Sequence, residues 1–195
     1  MHASLLKFVA QEIERYCIMR TLYEGELQID YGQFYIWTDE QAADAYGAAF
    51  DNVKRTFAGQ SSGLCGAAVR GLLYFDTGTQ YGTIGARVVV TDAEPDLDDS
   101  WEDVVEVSYQ AGEETSLVEW GDGDSYLLDL AAGEYRVRYA ARGRDQDDEG
   151  EDEEDTEEPV EYIEITIWSA PASADRVIRI TSEHGAAMNA QWLSS

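Results

Sequence analysis

The fold is decided between residues 126 and 168: Tyr126-Leu-Leu-Asp-Leu130, then Glu134-Tyr-Arg-Val-Arg-Tyr-Ala-Ala141, then, beyond an acidic tract, Tyr162-Ile-Glu-Ile-Thr-Ile-Trp168. Leu128 and Leu130, followed by Tyr135, Val137 and Tyr139, alternate with polar or charged neighbours that include Arg136 and Arg138. A period of two marks a strand buried on one face. Ala131-Ala132-Gly133 has the length of a short hairpin loop, and Gly133 is free to take the positive φ such loops use, so the first two runs predict a hairpin. In the third run Ile163, Ile165 and Ile167 share the core side, while Tyr162, Glu164, Thr166 and Trp168 share the other.

The tract between these strands, residues 145–158, holds Asp145, Asp147, Asp148, Glu149, Glu151, Asp152, Glu153, Glu154, Asp155, Glu157 and Glu158 and no apolar side chain. It cannot bury enough surface to offset its ordering entropy, which predicts a disordered insertion. Long structureless loops in compact domains are functional or disordered, and a solvated insertion that only aids solubility is the plainer reading. The whole chain carries a formal net charge of -27, and the eleven acids of the tract account for only part of it, so the folded body is acidic too. Such a surface repels phosphate backbones and anionic membranes and attracts basic proteins. With Lys7 and Lys54 its only lysines, the composition also suits a saline habitat.

Outward from this centre, the 195 residues, 44% hydrophobic and undivided by a Pro/Gly/Ser linker, predict one domain over residues 1–195. Leu5, Leu6, Val9, Ile13, Tyr16, Cys17 and Met19 recur at helical spacing, predicting an amphipathic helix over 3–22 that packs on the domain or on a partner and ends near Gly25. Leu27, Ile29 and Tyr31 then alternate, with Gly32 read as a bulge before Phe34, Tyr35, Ile36 and Trp37. Asp39 reads as the N-cap of a second helix, with a stripe from Ala42 to Phe57. The Gly/Ser-rich segment 59–66 lacks the Gly-Lys-Ser/Thr ending of a phosphate loop. Further strands are predicted at 69–76, 86–92, 105–109, 117–120 and 177–181, with Leu72-Leu73-Tyr74-Phe75 apolar on both faces and therefore central, and a short helix over 183–193 anchored by Met188 and Trp192. Helices early in the chain followed by eight to ten short strands predict a mainly β fold: an antiparallel β-sandwich with one or two appended N-terminal helices.

Chemistry is sparse. His2 and His184 have no partner that spacing names, and neither Cys65 nor Cys17 is tied to a histidine. Asp122-Gly-Asp124 resembles the start of a calcium loop but lacks the closing Glu. The expectation is no enzyme, no cofactor and no metal site. Two cysteines and the lack of a leader or a membrane-length apolar run predict a cytoplasmic protein. A second acidic loop, 92–103, embeds Trp101 among Asp96, Asp98 and Asp99, an aromatic anchor amid carboxylates that either meets a partner or packs back on the sheet.

Three segments, Leu27-Gln-Ile-Asp-Tyr-Gly-Gln-Phe34, Asp39-Glu-Gln-Ala-Ala-Asp-Ala-Tyr-Gly-Ala-Ala49 and Leu128-Asp-Leu-Ala-Ala-Gly-Glu-Tyr-Arg-Val137, resemble in order segments of the competence protein J family, small inhibitors of a DNA-entry nuclease. The resemblance covers about half the chain and implies a β-rich protein that binds a nuclease; related sandwiches occur among immunity proteins of bacterial toxin systems. The N-terminal helix and the acidic tract depart from that family, and no individual residue is carried over. The leading expectation is a non-enzymatic inhibitor of a basic nuclease or toxin. Its contacts are Asp96, Asp98, Asp99 and Trp101, with Asp147, Asp148, Glu149, Glu151, Asp152, Glu153, Glu154, Asp155, Glu157 and Glu158, and nucleic acid and membrane are excluded as partners. The alternatives are a sugar- or calcium-binding sandwich with a salt-adapted surface, and a structural or phage component that assembles through its first helix.

Overall fold

The computed structural model describes residues 18–38, 47, 52–121, 123–146 and 158–193. Its strands are β1 (Met19–Asp30), β2 (Gln33–Thr38), β3 (Cys65–Gly66), β4 (Leu72–Asp76), β5 (Tyr81–Thr91), β6 (Asp103–Ala111), β7 (Thr115–Val118), β8 (Ser125–Leu128), β9 (Gly133–Arg142), β10 (Tyr162–Ser169) and β11 (Arg176–Ile180). A short 3-10 helix spans Val53–Phe57, and α1 spans Glu183–Leu193.

One arm of the sheet runs β11-β6-β9-β10-β5-β1; the other joins β3-β4-β2 to β7 and β8. The arms meet where β1 and β2 pair only at Asp30 and Gln33, around a turn whose central residues, Tyr31 and Gly32, have φ of 58° and 65°. Two positive values are what a type I′ hairpin needs, and the preferred residues there are Asn and Gly. A tyrosine in the left-handed region costs about 1–2 kcal/mol.

The sheet curls so that its arms face each other. The Phe75 ring of β4 lies 5.2 Å from the Tyr139 ring of β9, and the Tyr139 hydroxyl donates to the Asp76 carbonyl at 2.7 Å. Leu27, Phe34, Phe75, Val107, Leu117, Val137 and the three isoleucines of β10 join one buried cluster. A smaller cluster on the other side of β2 and β4 holds Tyr35, Tyr74 and Phe57, against which Trp192 of α1 stacks at 5.6 Å.

The mainly β reading stands, and the alternations at β6, β9 and β10 place the expected residues in the core. The antiparallel sandwich does not. The fold is a curled mixed sheet in which β10 pairs parallel with β5 and antiparallel with β9. Nor do 126–130 and 134–141 form a hairpin: β8 pairs with β7, and the chain crosses between arms to put β9 between β6 and β10. Periodicity shows which face is buried but not which strand lies alongside.

The end of the predicted first helix, from Met19 onward, is strand, and Gly25 pairs with Ala86 in mid-strand. A bulge between Thr21 and Tyr23 shifts the alternation, so Leu22 and Tyr23 both touch the core. The rest of that helix, residues 1–17, lies outside the described residues, as does most of the second. Its end, Val53–Phe57, is a 3-10 turn. The described α-helix with a full span is the C-terminal one, α1.

Where β4, β6, β10 and α1 converge, the fully buried Arg144 donates to the Asp76 carboxylate at 2.6 Å and to Asp103 at 3.0 Å, and its Nε lies 3.5 Å from Glu161. The carboxylates are completed by backbone donors: Gly78 and Thr79 for Glu161, Thr181 and Ser182 for Asp103. His184 of α1 sets Nε2 3.1 Å from Asp76. Replacing Arg144 by Met would leave three buried carboxylates without their cation. It is expected to cost about 3–5 kcal/mol in denaturant unfolding; a loss below about 1 kcal/mol would show that the cluster does not hold the arms together.

Candidate functional site

The outer face of β1, β5 and β10 carries a groove. The register sets Glu24 opposite Arg87 and Arg87 opposite Glu164, and likewise Glu26 opposite Gly85 and Gly85 opposite Tyr162. Alternation turns these residues away from the core. Gly85 seats an aromatic wall of the groove: a Cβ there would lie 2.5 Å from Cδ1 of Tyr162, so only a residue without a side chain lets that ring rest across the strand. At the end of β9 the Arg142 guanidinium sits 5.1 Å from the Trp101 ring and 5.4 Å from the Tyr162 ring. The resulting groove, of about 540 Å³, is lined by Glu24, Glu26, Arg87, Trp101, Arg142, Glu158, Tyr162 and Glu164. Arg87 is engaged by Glu164 at 3.0 Å and Glu24 at 3.8 Å. With two arginines against four carboxylates, the groove is net acidic.

Of the residues predicted from sequence, the structure brings Trp101 and Glu158 together in this groove. Asp96, Asp98 and Asp99 are exposed on the adjoining loop, which arginines fix by its backbone. Arg138 donates to the carbonyls of Pro95 and Asp96, and Arg179 donates to those of Asp99 and Trp101 while pairing with the Asp99 carboxylate at 2.7 Å. Asp98 accepts from the Ser100 amide, a bond that holds its carboxyl below its ordinary range. Asp147, Asp148, Glu149, Glu151, Asp152, Glu153, Glu154, Asp155 and Glu157 lie outside the described residues.

The ends of the tract are not as expected. Asp145 belongs to ordered structure: its carboxylate accepts from the amides of Glu183 and His184 at 2.8 Å each, capping α1. The His184 amide bond is the main reason its carboxyl titrates below its ordinary range. Arg144 at one end and Glu161 beyond the other share the buried cluster, so the described residues that flank the tract meet at one place, beside the groove.

Sequence reasoning missed Glu24, Glu26, Glu164, Arg142, Tyr162 and the role of Gly85. A signal was present in Glu24-Gly25-Glu26 and in Gly85 alone within a strand, but the pairing that aligns them is not local. The remaining candidates are absorbed by the fold. Cys65 is buried in β3, where burial pushes its thiol well above the ordinary range. His184 pairs with Asp76, and Cys17 lies outside the described residues. Asp124 closes a turn, its amide bonded to Glu119 and its carboxylate 3.5 Å from the Tyr126 hydroxyl. Among the described residues no group of three or more His, Cys, Asp or Glu is placed to hold a metal ion, and no helix is long and apolar enough to cross a membrane.

No protein-family model matches the chain, and no curated protein matches it. Among solved structures the chain is similar to ComJ, inhibitor of the DNA degrading activity of NucA, from Bacillus subtilis, with a TM-score of 0.48 and 15% identity over 78% of this chain and 99% of that one. The likeness is weak, and it is to the family that the sequence motifs resemble.

Two measurements test this geometry. Gly85→Ala must move the Tyr162 ring and is expected to cost about 1–3 kcal/mol of stability. In a Tyr162→Thr background the cost should largely vanish; an equal cost in both backgrounds would remove Tyr162 as the reason for the glycine. Asp145 has a depressed folded pKa, so its stabilisation is present above its unfolded value of 3.8 and lost as pH falls through the lower folded value. Thermal melts of Asp145→Asn should therefore lie below wild type near neutral pH and converge with it only in that acid window; a constant offset down to the lowest pH would show that the carboxylate charge is not what caps α1.

Proposed function

We propose that the chain is a non-enzymatic binding protein that neutralises a basic protein partner, a nuclease or toxin, by presenting carboxylates where the partner expects phosphates. The observation that carries this reading is the acid-lined groove beside the tract, set in a protein of net charge -27. Arg136, Arg138 and Arg144 are drawn into buried ion pairs, so they add little to the surface field, which the excess of acids over bases makes negative. In the proposed role that field steers a cationic partner to the groove and Trp101 supplies contact, while the tract 147–157 extends the negative surface. Among basic partners, a DNA-degrading nuclease is the first to test, because the motifs at 27–34 and 128–137 resemble a family of nuclease inhibitors. The chain acts as one domain in this reading, with the tract as an insertion.

The test is low-salt capture from source lysate with three proteins: the intact chain, one with 147–157 replaced by a Gly/Ser linker, and the triple variant Glu24→Gln, Glu26→Gln, Glu158→Gln. A basic protein whose DNA-degrading or toxic activity the intact chain suppresses is expected, with its association rate falling about tenfold in the triple variant at low salt. Recovery of an acidic partner, or affinity indifferent to all these carboxylates, would overturn the proposal.

A further inference from the structure

On the turn between the two arms, three aromatic rings form a strip away from the groove. Tyr31 lies 5.4 Å from the Tyr81 ring and 4.7 Å from the Trp120 ring. Tyr31 and Tyr81 are 56% and 61% exposed, so burial does not account for them, whereas Trp120 rests on the smaller core cluster from above. Tyr31 is also the one non-glycine at positive φ among the described residues. A strained conformation at a solvent-facing aromatic points toward recognition rather than stability. The turn is held rigid: the Gly32 amide donates to the Gln80 carbonyl at 3.1 Å, and the Thr77 amide to the Gly32 carbonyl at 3.0 Å.

The charges set beside the strip are acidic. Asp30 precedes Tyr31 and pairs across the sheet with Tyr81, so it neighbours both exposed rings. Exposed ring faces next to carboxylates suit a planar cation, because a guanidinium stacks on an aromatic face while a carboxylate takes its N–H groups.

We infer that Tyr31, Tyr81 and Trp120 form a second docking surface, one that stacks arginine side chains of the basic partner. This rests on the reading that the partner is basic and adds a preference the charge alone does not supply, for arginine over lysine. A field of carboxylates attracts both cations alike, whereas the ring strip favours the flat one.

The test measures binding of the full chain to an oligo-arginine and an oligo-lysine peptide of equal length. Wild type is expected to bind the arginine peptide several-fold more tightly. Tyr31→Asn, which installs the Asn-Gly pair that a type I′ turn prefers, should keep or raise the melting temperature yet abolish the preference. Tyr81→Thr, a strand-compatible change, should reduce it independently. Equal wild-type affinities, or a preference that survives in both variants, would overturn this inference and leave the basic-partner reading standing. If neither peptide binds at low salt, the basic-partner reading itself fails.

Discussion

One buried guanidinium is shared by three carboxylates from distant parts of the chain, and the closure of the sheet depends on it. Arg144 follows β9; Asp76 ends β4, Asp103 begins β6 and Glu161 precedes β10. Buried charges are expensive, and a cation removed from such a set leaves the rest uncompensated, so the arrangement tolerates few alternatives. Its effect is to specify geometry. The arms are locked over the Phe75–Tyr139 contact, α1 is drawn in through His184 and Ser182, and both roots of the acidic tract are brought to one point. Burial pushes the Tyr139 phenol well above its ordinary range, so the hydroxyl beside this cluster stays a proton donor to the Asp76 carbonyl.

The same division of charge recurs on the outer face. Glu106, almost wholly buried, takes Arg138 at 2.9 Å and Arg136 at 3.4 Å, and those arginines reach outward to backbone carbonyls rather than to water. Arg136 and Arg138 are buried with Glu106, while Asp96, Asp98 and Asp99 stay exposed on the loop that Arg138 and Arg179 hold. The acidic loop 92–101 is thereby presented by four carbonyl contacts from Arg138 and Arg179, so its aspartates are ordered before any encounter. Preordered charge keeps more of its interaction energy on binding than charge on a segment that must first be immobilised.

Much of the fold was legible because burial leaves a local trace: Ile163, Ile165 and Ile167, or Val137 and Tyr139, could face only one way. The bounds of α1 and the anchoring of Trp192 were legible for the same reason. What was not legible is long-range. The spacing read as helix up to Met19 gave no sign that a strand begins there, and the crossover after β8 separated two runs that looked like a hairpin. Arg136 and Arg138 read as solvent-facing because alternation cannot show that a loop will cover them. Within the candidate site, Trp101 and Glu158 were singled out by their composition, whereas Glu24, Glu164 and Tyr162 become neighbours only through the pairings of β5 with β1 and with β10.

An acidic surface alone does not choose between a habitat and a partner, since salt adaptation and cation capture both enrich carboxylates. The distinction lies in where structure is used to hold charge in place. Salt adaptation requires solvated acids and is indifferent to their orientation. Here a glycine is kept at position 85 to seat an aromatic wall of a groove, arginines are buried to fix the backbone of an acidic loop, and a tyrosine occupies a turn that asparagine would fill at lower cost. Each feature defines a surface, and the tyrosine does so at a cost in stability. In the proposed role, a basic partner gives a reason for all three: the long-range field would govern the approach and the aromatic faces how long the complex lasts.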